Sequence, residues 1–187
     1  MNKLVIISAP SGAGKSTIVK ALRQKYPQLT LSISACTRNP RAGEENGVHY
    51  YFLTVEEFQN KIETNEFLEW EMVYEGKYYG TPQSELKRIW HNNGVPILDI
   101  DVAGALNVMK LYKGNYCSIF IETPDLKILK ERLINRGTET AESLQERLDK
   151  AKYELEFKNE FQHIIVNDIL EEAIDKISTI ISEYLNK

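Results

Sequence analysis

Four short runs along the chain are almost wholly apolar, and the segments between them carry apolar residues at helical spacing. Leu4-Val5-Ile6-Ile7, Pro96-Ile97-Leu98-Asp99-Ile100-Asp101, Tyr116 to Ile121 and His163-Ile164-Ile165-Val166 have the texture of strands covered on both faces. Leu29 to Ser34 is a further strand candidate. Ser16 to Tyr26 is predicted helical and is stopped by Pro27. Ser84 to Asn92, Asp125 to Asn135, Ser143 to Lys158 and Leu170 to Leu185 also read as helices, the last one amphipathic. Strands alternating with helices predict an α/β fold, a parallel sheet between two helical layers. The stretch from residue 34 to 81 has a different texture. There Asn46-Gly47 suits a tight hairpin turn with Val48 to Leu53 as the returning strand. Val55 to Asn65 reads as a helix with Phe58 and Ile62 on one face, and Phe67 to Tyr79 as strands around a Glu75-Gly76 turn. This stretch is expected to be a mixed-β insertion beside the parallel core.

Composition narrows the function classes. The 187 residues are 42% hydrophobic and 27% charged, ordinary for a globular protein. No apolar run approaches the ~20 residues of a membrane-spanning helix, and Met1 to Leu4 leads straight into a β-type run rather than a secretory signal. A net charge of −4 argues against a nucleic-acid binder, so a phosphate site must be a local basic cluster. Cys36 and Cys117 lack any paired spacing, which predicts neither a zinc site nor a disulfide and fits a cytoplasmic chain.

The segment Ala9-Pro10-Ser11-Gly12-Ala13-Gly14-Lys15-Ser16-Thr17 lies between the first strand and the first helix. In that setting successive backbone N–H groups and the helix N-terminus form a concave anion site. Gly12 and Gly14 let the backbone wrap closely, Lys15 can reach the β- and γ-phosphates of a nucleotide, and the Ser16 hydroxyl can ligate Mg²⁺. The usual pattern begins with glycine, where this chain has Ala9. A phosphate loop indicates nucleotide binding and says little about the acceptor.

Further motifs identify the acceptor. Ser34-Ala35-Cys36-Thr37-Arg38-Asn39-Pro40-Arg41 is followed by Gly43-Glu44-Glu45-Asn46-Gly47-Val48-His49-Tyr50. Then come Glu66-Phe67-Leu68-Glu69-Trp70, Tyr78-Tyr79-Gly80-Thr81, Ile97 to Asp101, Arg136-Gly137-Thr138-Glu139-Thr140 and Val166-Asn167-Asp168. In this order, and over nearly the whole chain, they resemble the guanylate kinase family. The resemblance implies a three-layer P-loop kinase core (residues 1–33, 82–124 and 151–187), a mixed-β GMP-binding subdomain (34–81) and a helical lid (125–150). It implies phosphoryl transfer from Mg-ATP to GMP, and to dGMP, within purine nucleotide metabolism. The partners expected are these small molecules, with no nucleic acid or membrane, and the chain is expected as a monomer or weak homo-oligomer.

The roles implied by the resemblance agree with elementary chemistry. Arg38 and Arg41, with Tyr50 and Tyr79, hold the acceptor phosphate, to which a guanidinium donates two parallel hydrogen bonds. Glu69 reads the base, because guanine presents N1–H and the 2-amino group as adjacent donors and adenine does not. Ser34 and Thr81 donate to guanine O6, and Asp101 is a second contact to the amine. Ser11, Gly12, Ala13, Gly14, Lys15, Ser16 and Thr17 cradle the ATP phosphates. Asn167 and Asp168 lie beside the adenine, with Arg132 either stacked there or on the surface. Arg136 and Arg147 belong to the lid and close on the phosphates. Lys15, Arg41, Arg136 and Arg147 neutralise the transferring group. Mg²⁺ is held by Ser16, and by Asp99 directly or through water, unless Asp99 serves only to bond the loop. Trp70 and Phe67 are expected in the core or pocket wall, and Tyr78 in packing.

Two rivals are weighed. Guanylate-kinase-like domains also act as non-catalytic peptide-binding modules, but those carry degraded phosphate loops, and Lys15, Ser16 and the arginine set are present here. Another acceptor, such as AMP or a sugar phosphate, would not use the Glu69 and Thr81 pair.

Overall fold

The protein is described by a computed structural model that covers residues 2–135 and 141–186. Its centre is a five-stranded parallel sheet. The strands are β1 (Val5–Ser8), β2 (Leu29–Leu31), β7 (Val95–Asp99), β8 (Cys117–Glu122) and β9 (His163–Val166), in the order β2-β7-β1-β8-β9. Cover on both faces explains the apolar runs of β1, β7 and β8 but, against expectation, not that of β9, an edge strand on which Ile164 and Val166 are exposed. Val5, Ile7, Ile97, Ile119 and Ile121 pack under α1 (Lys15–Lys25), α5 (Leu126–Asn135) and α7 (Leu170–Asn186). Leu4, Ile6, Leu98 and Phe120 point the other way, onto α3 (Gln83–His91) and α4 (Val102–Tyr112). Alternate residues of each strand thus enter opposite cores.

A second, four-stranded sheet has the order β4-β3-β6-β5. β5 (Phe67–Tyr74) and β6 (Lys77–Pro82) form the expected antiparallel hairpin around Glu75-Gly76, with Glu69 opposite Thr81 and Glu71 opposite Tyr79. β3 (Ala35–Cys36) adds antiparallel to β6. α2 (Val55–Glu63) starts at a capping box, the Thr54 hydroxyl accepting from Glu57 N–H while the Glu57 carboxylate accepts from Thr54 N–H. Its Phe58, wholly buried, stacks on Phe67 at 4.2 Å and on Tyr78 at 5.4 Å, and this cluster is the sheet's core. α6 (Ala141–Glu156) then packs beside α5. No helix among the described residues is long and apolar enough to cross a membrane.

Several expectations need correction. The returning strand from Val48 to Leu53 shrinks to β4 (Tyr51–Phe52), which pairs with β3 in parallel, so no hairpin forms at Asn46-Gly47. Gly47 alone takes positive φ there (76°), while the Glu45 carbonyl accepts from Val48 and His49 N–H and folds the loop back locally. β2 ends at Leu31, not Ser34. α4 is a helix that the sequence pattern does not predict; Asp101, the end of an apolar run, is its N-cap. Trp70 lies 44% exposed on the outer face of β5, away from any pocket wall, whereas Phe67 is buried as expected.

Candidate active site

The phosphate loop leaves β1 and enters α1, closed by a turn in which Ala13 N–H donates to the Pro10 carbonyl at 3.1 Å. Gly14 is the N-cap at φ 94°, α1 carries no acidic residue in its first turn, and no side chain caps it. Such a helix start presents bare N–H groups and the positive end of the helix dipole to an anion. The loop is held from behind by Asn167, at the end of β9, whose Nδ2 donates to the Ala13 carbonyl at 2.7 Å. A Cβ on Gly14 would sit 2.4 Å from that nitrogen, so closeness as well as backbone conformation demands glycine. Ala9 is buried and keeps out of the left-handed region, which is why alanine replaces the usual glycine there without strain.

Next to the loop, β7 ends in Asp99 in register with Ile7 of β1. Asp99 Oδ1 lies 2.5 Å from Lys15 Nζ, which also donates to the Ile100 carbonyl at 2.9 Å. The Ser16 hydroxyl is 3.5 Å from Asp99 Oδ2. Lys15, Ser16 and Asp99 therefore meet at the mouth of a cleft of about 380 Å³. Thr17 is exposed on α1.

The opposite wall is built by β5 and β6. Glu69 is 8% exposed, and the buried Thr81 donates to its Oε1 at 2.6 Å. Burial pushes the Glu69 carboxyl up to about 7, the Asp101 charge adding to the rise and the Thr81 hydroxyl opposing it. Thr81 is thus committed to Glu69, whereas the sequence had assigned it to guanine O6. Gly104 lets α4 approach, since a Cβ there would fall 2.5 Å from Glu69 Oε2. Asp101 caps α4, its Oδ1 accepting from Gly104 N–H at 2.9 Å. Ser34, Tyr50 and Tyr79 complete this wall.

At the rim, Arg38 forks onto Glu44 at 2.6 and 2.7 Å and stacks over Tyr50 at 4.9 Å. The Arg38 guanidinium and Arg41 N–H hold the Glu44 carboxyl down at about 2. Arg41 is exposed on the rim loop and does not line the cleft. On the far side, Arg147 of α6 lines the cleft and donates to the Ser11 hydroxyl at 2.9 Å. Arg132 donates to the carbonyls of Asn167 (2.9 Å) and Asp168 (3.4 Å), a bridge from α5 to the end of β9. Arg136 lies outside the described residues.

Four site residues escaped the sequence reading: Glu44, Glu71, Lys150 and Glu154. Glu71 follows Glu69 by two, so both face the cleft from one strand, a signal that alternation could have supplied. Hydrogen bonding with Asp101, then burial, pushes the Glu71 carboxyl well above the usual carboxylate range. Lys150 and Glu154 follow Arg147 at three and seven residues, on the same helix face. Lys150 Nζ is 3.4 Å from Asp101 Oδ2 and 4.0 Å from Glu154 Oε1. Among the described residues, no cluster of three or more acidic, His or Cys side chains could hold a metal ion.

Known proteins resemble this chain over nearly its whole length. The guanylate kinase family profile matches residues 1–184. Guanylate kinases of Bacteroides thetaiotaomicron and Porphyromonas gingivalis are 45% and 44% identical, over 99% and 100% of this chain and 91% and 100% of theirs. A crystal structure of guanylate kinase from Anaplasma phagocytophilum superposes with a TM-score of 0.77 at 30% identity, covering 97% of this chain and 85% of that one. A shikimate kinase from Bacteroides thetaiotaomicron, 17% identical with a TM-score of 0.52 over 100% of this chain and 99% of its own, shares the fold alone. A phosphate loop facing a buried carboxylate across one cleft, in a chain matched end to end by these relatives, places the protein in the guanylate kinase family.

Proposed function

We infer that the protein transfers the γ-phosphoryl group of ATP to GMP, and to dGMP, giving ADP and the nucleoside diphosphate. The observation that carries this reading is Glu69, buried beside Thr81 in the same cleft onto which Lys15 opens. A carboxylate there accepts from guanine N1–H and the 2-amino group together. Both donors favour its ionised form, so binding draws the Glu69 carboxyl down from its raised value. Adenine would leave the buried carboxylate unpaired, and sites of this kind discriminate by about 10⁴-fold or more. Ser34 lines the same wall as a donor for guanine O6, and Asp101 is a second acceptor for the amine.

The acceptor phosphate needs no general base, since its second pKa of about 6 leaves it largely ionised at neutrality. Arg38, Arg41, Tyr50 and Tyr79 grip it, Arg38 already oriented by Glu44. The donor's phosphates take the loop of residues 11–17 and the uncapped start of α1, and Lys15 exchanges Asp99 for phosphate oxygens. Arg147, with Arg136, closes from the helical side, while Arg132, Asn167 and Asp168 form the adenine end. Catalysis is positioning plus neutralisation of the transferring oxygens by Lys15, Arg41, Arg136 and Arg147.

Ser16 and Asp99 offer two hard oxygen donors 3.5 Å apart, with no third acidic ligand among the described residues. That set fits Mg²⁺, which keeps several waters and takes one or two protein oxygens plus phosphates. When bound there it would supply charge neutralisation to the β- and γ-phosphates. Residues 34–81 act as the acceptor subdomain and 125–150 as the lid, and the reaction is assigned to the cytoplasm. Initial rates with Mg-ATP and a panel of monophosphates test the reading. GMP should turn over rapidly, dGMP less so, and AMP and UMP scarcely; equal turnover of AMP would defeat it.

A further inference from the structure

The cleft holds a lysine with no role in the chemistry above. Lys150 extends from α6 across the cleft to Asp101 Oδ2, and its Nζ lies 4.0 Å from Glu154 one turn further on. The helix face that sends Arg147 to Ser11 at the phosphate loop therefore sends Lys150 to the base wall. The surroundings of Asp101 are otherwise acidic: Glu69 and Glu71 come from β5 and Glu154 from α6, with Lys15 the other cation near the cleft floor. Gly104 N–H fixes one oxygen of Asp101, and Lys150 faces the second. We propose that Lys150 is a positioning residue for guanine recognition, orienting the Asp101 carboxylate as acceptor for the base's 2-amino group.

The inference rests on the GMP reading and adds to it. Without the Lys150 charge, Asp101 keeps the Gly104 N–H and its hydrogen bond with Glu71, and no cation of α6 then holds its carboxylate toward the base. The fold should survive the loss. Lys150 is 42% exposed at its side chain, and burial raises the Glu154 carboxyl to about 7, so Glu154 can take up a proton when its partner goes. A cation serving the phosphates would behave differently, since its removal would slow turnover of any purine acceptor alike.

The test uses the intact protein and two acceptors, GMP and IMP, which share N1–H and O6 but differ in the 2-amino group. Wild-type turnover of GMP, in preference to IMP, checks the functional reading by itself. Lys150→Met is expected to raise the GMP KM about tenfold, as expected when one charge-assisted contact is loosened, with kcat within about twofold and the IMP KM unchanged. Lys150→Arg should restore the preference, and in an Asp101→Ala background Lys150→Met should change it no further. Thermal melts check folding, and Lys150→Gln serves if the methionine variant melts early. An equal loss on both acceptors, or a fall in kcat with the preference intact, would overturn the proposal. Failure of the wild type to phosphorylate GMP would instead overturn the functional reading.

Discussion

Glu69→Gln separates what the base-reading carboxylate contributes to function from what it does to the fold. In the free protein burial raises this acid from 4.5 to about 7. The folded state is therefore favoured most below pH 4.5, and that contribution is lost as the pH rises through about 7. Above that range the ionised, buried carboxylate disfavours the fold by about 3 kcal/mol, at 1.36 kcal/mol per pH unit. Glutamine keeps the shape and can still accept from Thr81, but it carries no charge. At pH 8 the variant should melt higher, by up to about 6–12 °C for a chain of this size. At pH 5, where Glu69 is itself neutral, the two melting curves should nearly coincide. Activity moves the other way. The amide offers one acceptor and opposes the second guanine N–H with its own donor, a loss of roughly 3–4 kcal/mol and so about 10²–10³-fold in kcat/KM for GMP. Calorimetry at both pH values, paired with initial rates, reads both effects. The reasoning is refuted if the melting shift is the same at pH 5 and pH 8, or if the variant phosphorylates GMP normally.

Other outcomes follow from the same geometry. Lys15→Met should leave the melting temperature within a few degrees, since Ser16 stays beside Asp99, while turnover falls by about 10³-fold or more, measured as ADP release. Chelation by EDTA should abolish turnover, and added Mg²⁺ should restore it without changing the far-ultraviolet circular dichroism, because the two donors at Ser16 and Asp99 contribute no folding core. Phe58→Ala empties the middle of the Phe58–Phe67–Tyr78 stack and should cost about 3–5 kcal/mol, read as a lowered urea midpoint.

The parallel core was legible because strands covered on both faces leave unbroken apolar runs, as in Leu4 to Ile7 and Ile119 to Ile121. α4 was not, because Val102 to Tyr112 is apolar nearly all round and its start signal, Asp101, sits at the end of an apolar strand. The pairing of β4 could not be read from Asn46-Gly47. The dipeptide permits a hairpin, but the Glu45 carbonyl captures the following amides and sends the chain into parallel register instead. Local motifs located the phosphate loop, Glu69 and the rim arginines. Glu71, Lys150 and Glu154 belong to no motif: Glu71 meets Asp101 only once β5 packs on α4, and Lys150 and Glu154 only once α6 is laid across the cleft. Arg41 shows the converse: its segment is recognisable in sequence, yet its side chain stands on the rim outside the cleft.

A crystal structure of the protein with GMP addresses the central claim most directly. The guanine N1–H and 2-amino nitrogens should lie within about 3.2 Å of the Glu69 carboxylate, with the phosphate against Arg38 and Tyr50 and turned toward Lys15. A base bound with its Watson–Crick edge away from Glu69, or GMP seated outside the cleft that contains Lys15, would contradict the account.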